Sequence, residues 1–313
     1  MKTNFKLLSA LLAAAVMAGC QGGAGSSSST AASYGGSAAP SQESAAPAGF
    51  DANREIMVVS REDGSGTRGA FVELFGIEEK DADGNKTDRT TEEAVIANKT
   101  DVMLSQVAGN ETAIGYVSVG SLNDSVKALK VDGAAAGTET IKSGEYKIAR
   151  PFNIATKGAP SEAAADFIAF ILSKEGQEVV AGSCVPVDDA AASYAGSKPA
   201  GKVVIAGSSS VSPVMEKLKE AYQVQNPNAE IEIQTSDSTA GMQAAIDGIC
   251  DIGMASRELK ESELAELTAT QIAIDGVAVV VSPENPIDDI SAEMVKGIYV
   301  GEITKWSEVT AEN

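Results

Sequence analysis

The segment Arg61-Glu-Asp-Gly-Ser-Gly-Thr67 sets a guanidinium, two carboxylates, two hydroxyls and two glycines one residue after the apolar run Ile56 to Val59. Gly69 to Phe75 has helical character, so Ser65, Gly66 and Thr67 fall at a helix N-terminus. Such a place offers free backbone N–H groups, the positive end of a helix dipole and two hydroxyls, and Arg61 can add a charged fork. These are the parts that a tetrahedral oxyanion needs; the same residues also fit plain capping by Ser65 or Thr67, with Arg61 in a surface salt bridge. A second segment, Val203 to Pro213, repeats the design through Gly207-Ser-Ser-Ser210, with Pro213 near the first helical turn. A third comprises Thr235 to Gly241, including Ser238, and then Asp251-Ile-Gly-Met-Ala-Ser256-Arg257. One hydroxyl-rich helix start is ordinary capping, whereas three with arginines beside two of them point to an anion cradle.

Other chemistries fit less well. Gly64, Gly66 and Gly69 satisfy GxGxxG, but a dinucleotide site needs the glycines directly after the strand and an acid ending a second strand, and Asp81 to Thr91 reads as polar and turn-like. A nucleophile elbow fails at Ser65 and at Ser209, where Asp63 and Val211 occupy glycine positions. The chain has no histidine, which removes His-based triads and imidazole zinc sites, and its three cysteines never approach a CxxC spacing. With 24 Lys+Arg against 44 Asp+Glu the formal charge is −20, and no dense basic run exists, so nucleic-acid binding is set aside. No metal site or cofactor is expected: Asp288, Asp289 and the acids from Glu261 to Glu266 read as solvated faces, Trp306 as core, and Cys184 and Cys250 as structural thiols.

Lys2 and Lys6, an apolar stretch from Leu7 to Ala18 too short to span a bilayer, and Ala18-Gly-Cys20 form a targeting segment that resembles a bacterial lipoprotein signal. That resemblance implies a signal peptide over 1–19 and lipidation at Cys20; an ordinary secretory signal is the alternative. Gln21 to Phe50 is Gly-, Ala-, Ser- and Pro-rich and reads as a flexible tether about 30 Å in root-mean-square span. From Asp51 onward strands and helices alternate over a length that suits two α/β lobes. Strands are expected at 55–60, 113–117, 126–131, 148–155, 203–206, 230–234 and 271–281, and helical stripes run from Val211 to Tyr222 and from Ala164 to Leu172. This order argues for mostly parallel sheets with ligand sites at the carboxyl ends of strands.

Gly207 to Pro213, Ser238 to Gly241, Asp251 to Leu259 and above all Arg61 to Thr67 resemble the substrate-binding lipoproteins of bacterial phosphate ABC transporters. Ala113-Ile-Gly-Tyr-Val and a helix from Asp166 to Val180 followed by Val185-Pro-Val add to the likeness. The resemblance implies a two-lobed type II periplasmic-binding-protein fold with a hinge. Its order is unusual, because Ile303-Thr-Lys-Trp306 closes the chain while its family continuation stands at Arg54. A circular permutation accounts for this, with Ala191 to Lys202 as the new joint; a truncated or mis-assembled chain is the alternative. The expected division is 20–50 as lipidated Cys and linker, 51–149 plus 277–313 as a discontinuous lobe, and 150–276 as a contiguous lobe.

By the same resemblance Ser209, Ser210 and Ser238 serve from the contiguous lobe and Arg61, Ser65, Gly66 and Thr67 from the other, with inorganic phosphate between them. Ser256 stands where well-known members carry an aspartate that accepts the phosphate proton, so Asp63 is the candidate acceptor, with Asp237 second. Asp63 serves equally as a partner orienting Arg61. The implied protein is a monomeric, non-enzymatic receptor, lipid-anchored outside the cytoplasm and delivering phosphate to ABC-transporter permease subunits. A secreted phosphoester hydrolase, or a receptor for sulfate or molybdate, is the rival reading.

Overall fold

Short Val/Ile-rich runs that hand over to hydroxyl-rich turns build the sheet and its helices. The computed structural model describes residues 49–81 and 85–309. The chain divides into Met1–Pro47 and Ala48–Asn313, and the second unit is described below. The expected signal peptide, Cys20 and most of the tether lie outside the described residues.

The first stretch runs β1 (Met57–Arg61), α1 (Gly66–Leu74), an antiparallel pair β2 (Glu78–Lys80) and β3 (Lys86–Asp88), β4 (Val95–Ala97), α2 (Thr100–Ala108) and β5 (Ala113–Ser118). Short β6 (Lys127–Ala128), β7 (Lys130–Val131) and α3 (Thr138–Ser143) follow. Next come β8 (Ala149–Thr156), α4 (Glu162–Ile171), α5 (Lys174–Ala181), β9 (Val185–Pro186), β10 (Gly201–Ser208), α6 (Ser212–Gln225) and β11 (Ala229–Ser236). The chain ends through α7 (Ser238–Ile246), β12 (Ile252–Ala255), α8 (Glu261–Leu264), β13 (Thr268–Val281), β14 (Asp289–Ile290) and α9 (Ala292–Tyr299).

Among the described residues ten strands join one sheet, whose main path is β11-β10-β12-β8-β13-β5-β1-β4. Pairing is parallel at both wings, β10 with β11 and β12, and β1 with β4 and β5. The centre is antiparallel, because the long β13 runs back against β8 from Thr268 to Gly276 and then against β5 from Val277 to Val281. The two parallel wings are therefore joined into one continuous sheet by a single strand that changes partner.

Apolar side chains gather on either side of that change. One core collects Phe71, Tyr116, Val277 to Val281, Tyr299 and Trp306; another collects Phe152, Phe167, Phe170, Ile205, Leu218 and Tyr222. A smaller cluster of Met242, Ala255 and Leu259 lies under α7. There β10 and α7 touch backbone to backbone: Gly207, at φ +134°, and Gly241 leave no room for a Cβ on either.

Three expectations change. The helix drawn from Asp166 to Val180 breaks at Ser173, whose Oγ donates to Phe170 O (2.7 Å) and accepts from Gly176 N (3.2 Å), ending α4 and capping α5. Asp81 to Thr91 contains a strand, β3, in an exposed ladder rather than a turn alone. Among the acids from Glu261 to Glu266, Glu263 is buried and paired bidentately with Arg257, at 2.7 and 2.8 Å. Asp288 and Asp289 are exposed, Trp306 is core, and Cys184 and Cys250 are buried free thiols.

Candidate functional site

Four helix starts meet between the two large cores. β1 delivers Arg61 and the turn into α1, where Ser65 caps the helix by accepting from Arg68 N at 3.3 Å. β4 delivers Thr100 at the start of α2, β10 delivers Ser208, Ser209 and Ser210 ahead of α6, and β11 delivers Asp237 and Ser238 at the start of α7. The starts of α2 and α6 carry no side-chain cap of their own; Thr100 N donates across to Ser209 Oγ at 3.3 Å, and α6 begins with Pro213 in its first turn.

Hydroxyls fill the meeting point. Thr67 Oγ1 lies 2.7 Å from Ser210 Oγ and 3.3 Å from Ser256 Oγ, and Thr100 Oγ1 lies 3.1 Å from Ser209 Oγ and 3.3 Å from Ser210 Oγ. Ser256 Oγ accepts from Ser208 at 3.0 Å, and Ser256 N donates to Ser238 Oγ at 3.1 Å. Ser65, Thr67, Thr100, Ser209, Ser210, Ser238 and Ser256 are all buried. At Gly66 the facing loops come close: a Cβ there would stand 2.5 Å from Ser238 Oγ and 2.8 Å from Ser256 Oγ.

Two buried guanidinium groups bracket the hydroxyls. Arg61, 1% exposed, gives Nη2 to Ser209 Oγ (3.0 Å) and Nη1 to Thr100 Oγ1 (3.3 Å), while Glu62 takes Nε and Nη2 at 2.8 Å each. The Tyr116 hydroxyl accepts from Arg61 N at 3.0 Å and braces the strand end; burial pushes that phenol up to about 12, so it stays protonated. On the other side Arg150, 4% exposed, gives Nη2 to Thr67 Oγ1 (2.9 Å), Nε to Ser256 O (2.8 Å) and Nη1 to Asp275 Oδ2 (2.6 Å). Burial raises the Asp275 carboxyl above the usual carboxylate range, against the pull of Arg150.

The structure thus brings together Arg61, Gly66, Thr67, Ser209, Ser210, Ser238 and Ser256, with Ser65 capping the helix that starts at Gly66. It does not bring Asp63 to them. The tight turn, closed by Ser65 N donating to Glu62 O (3.0 Å), folds Glu62 back onto Arg61 and turns Asp63 outward, with its side chain 97% exposed and paired with Arg68 at 2.7 Å. The orienting partner of Arg61 is Glu62 rather than Asp63. Asp237 caps α7 by accepting from Ala240 N at 2.8 Å.

Thr100 and Arg150 were not anticipated from sequence. Thr100 follows the same strand, polar turn, helix pattern as the other segments, in Val95-Ile-Ala-Asn-Lys-Thr100. Arg150 and Asp275 are each the one charged residue of a largely buried strand, which is the mark of a buried pair. Beside the cluster a cleft of about 550 Å³ reaches Thr100 and Ser209 past Leu104, Leu122 and Pro213, with Lys99 and Lys217 on its walls.

A sequence model of the PBP superfamily domain matches residues 40–175 and 192–313, and the chain belongs to that superfamily. Phosphate-binding protein PstS 2 of Streptococcus agalactiae serotype V is 55% identical over 258 residues, 82% of this chain and 88% of its own. A solved phosphate ABC transporter phosphate-binding protein from Streptococcus pneumoniae superposes with a TM-score of 0.65 at 45% identity, covering 82% of this chain and all of that one. Phosphate-binding protein PstS of Bacillus subtilis is 31% identical over 115 residues, 36% of this chain and 38% of its own.

Proposed function

We propose that the chain captures inorganic phosphate between two lobes and hands it to the membrane permease of an ABC transporter. The buried cluster of hydroxyls, helix N-termini and two guanidinium groups between separate cores carries the reading: it supplies many short donors to an oxyanion in a water-excluded place. A protein of formal charge −20 can do this because close, oriented donors outweigh a screened distant field. The streptococcal relatives, a phosphate-binding protein and a phosphate ABC transporter phosphate-binding protein, support the same ligand and transporter class.

The lobes are 51–149 with 277–313, and 150–276, hinged where β13 changes partner and β8 begins; binding draws them together. The order of elements is a circular permutation of the commoner family arrangement. In support, streptococcal relatives align over 258 or 259 residues, whereas the Bacillus relative aligns over 115. Cys20 carries the lipid anchor and 21–50 the tether, which keeps a monomeric receptor at the outer face of the cell membrane. The site works by binding rather than catalysis, since its hydroxyls pair among themselves and with arginines, and a hydrolase would need a base or metal beside a nucleophile.

The test is isothermal titration of the unfolded and refolded protein with phosphate and with sulfate at neutral pH, and a phosphoester hydrolysis assay with and without divalent metals. One-to-one phosphate binding and no turnover is the expected result. Absence of phosphate heat, or sustained turnover, would defeat the proposal.

A further inference from the structure

We propose that Arg150, held by Asp275, is a second anion-contacting guanidinium of the cradle and makes it favour doubly charged tetrahedral oxyanions. This rests on the phosphate-capture reading above.

Arg150 and Asp275 are direct cross-strand partners on β8 and β13, the two strands that carry the chain between the cores. Asp275 is fully buried; its Oδ2 accepts from Arg150 Nη1, and its Oδ1 accepts from Gly120 N at 3.1 Å. Both carboxylate oxygens are therefore engaged on the far side of the guanidinium from Thr67. Arg150 Nη1 also donates to Gly276 O (3.3 Å) and Nε to Ser256 O (2.8 Å). An arginine has five N–H groups, and these contacts with the one to Thr67 use four. The fifth belongs to Nη2, the nitrogen that lies 2.9 Å from Thr67 Oγ1 within the hydroxyl cluster.

A pair that served only to pin two strands would be complete with Asp275 and the two carbonyls. Nη2 instead reaches across to α1, which packs on the other core, and sets positive charge against Thr67, itself 2.7 Å from Ser210 and 3.3 Å from Ser256. Arg61 does the same from the opposite side through Ser209 and Thr100. Two guanidinium groups around neutral hydroxyls, with Ser256 in place of a carboxylate, make a cradle that attracts the anion more strongly as the anion gains charge.

The pH dependence of binding reads this directly. The chain contains no histidine and burial pushes the Cys184 and Cys250 thiols up, so between about pH 5.5 and 8.5 phosphate itself passes from one to two negative charges, and the raised Asp275 carboxyl is the protein group facing Arg150 that can follow it. Titration calorimetry on the wild type should show phosphate affinity rising across that interval. Arg150→Met should bind about ten- to a hundredfold more weakly at the upper end and show a flatter rise, while Arg150→Lys should bind less tightly than wild type and keep the slope. A loss equal at every pH in Arg150→Met would mark a structural role and overturn the inference, as would unchanged affinity in either variant. If Arg150→Met does not fold, Arg150→Lys decides: retained slope with reduced affinity supports the contact, and wild-type affinity refutes it. Wild-type protein that ignores phosphate would remove the capture reading itself; a binding wild type with an equally good Arg150→Met removes this inference alone.

Discussion

At Gly66 the backbone of α1 passes within side-chain distance of the facing loops, and the space a Cβ needs is taken by Ser238 Oγ and Ser256 Oγ. Gly66→Ala should hold α1 off the opposite side and weaken phosphate binding at least about tenfold, with little change in the unfolding midpoint of the ligand-free protein, since the collision is with hydroxyls that can turn away only by leaving the cluster. Calorimetry and a urea titration check the two halves of that expectation. Arg61→Ala should cost more than Ser65→Ala in the same titration, because charged hydrogen bonds contribute about 1.5–3 kcal/mol and neutral ones about 0.5–1.5 kcal/mol. Asp63, exposed and paired with Arg68, stands apart from this chemistry. Asp63→Asn should leave the phosphate-to-sulfate affinity ratio unchanged, and a shift in that ratio would return the acceptor role to it.

Among the elements, the short α8 shows how a surface-looking acidic run hides a structural charge. Glu263 accepts from both terminal nitrogens of Arg257 and from Lys260 N at 2.8 Å, tying α8 to the loop that leaves β12 just after Ser256. Burial alone would raise its carboxyl, but the bonds from Arg257 and Lys260 outweigh burial and hold it below the ordinary 4.5. A carboxyl with a lowered folded value contributes stability that is complete above 4.5 and fades as pH falls through that lower value. Glu263→Gln should therefore cost about 3 kcal/mol in urea unfolding at neutral pH, and its stability should fall less steeply than wild type below 4.5. The break between α4 and α5 has a different cause. The apolar stripe continues through Leu172, but Ser173 and Gly176 together form a cap, and a Cβ at Gly176 would meet Phe170 O.

For the whole molecule, phosphate that bridges the two lobes should stabilise the fold as any ligand of the native state does, by about 2.7 kcal/mol at a hundred times its Kd. Thermal unfolding should rise with phosphate in wild type and stay flat in Arg61→Ala, and a rise of equal size in both would separate stabilisation from the site. Much of this was legible in the order of residues: the strands, the three hydroxyl-rich helix starts and the residues from Arg61 to Thr67 are local patterns, set by side-chain periodicity and turn chemistry over a few positions. Tertiary structure alone decided that Glu62 rather than Asp63 returns to Arg61, that Thr100 joins the serines, and that Arg150 and Asp275 face one another beneath them. The last two of those contacts join residues far apart in the chain, 109 positions between Thr100 and Ser209 and 125 between Arg150 and Asp275, and depend on how β13 brings two separately packed cores together, which no local pattern encodes.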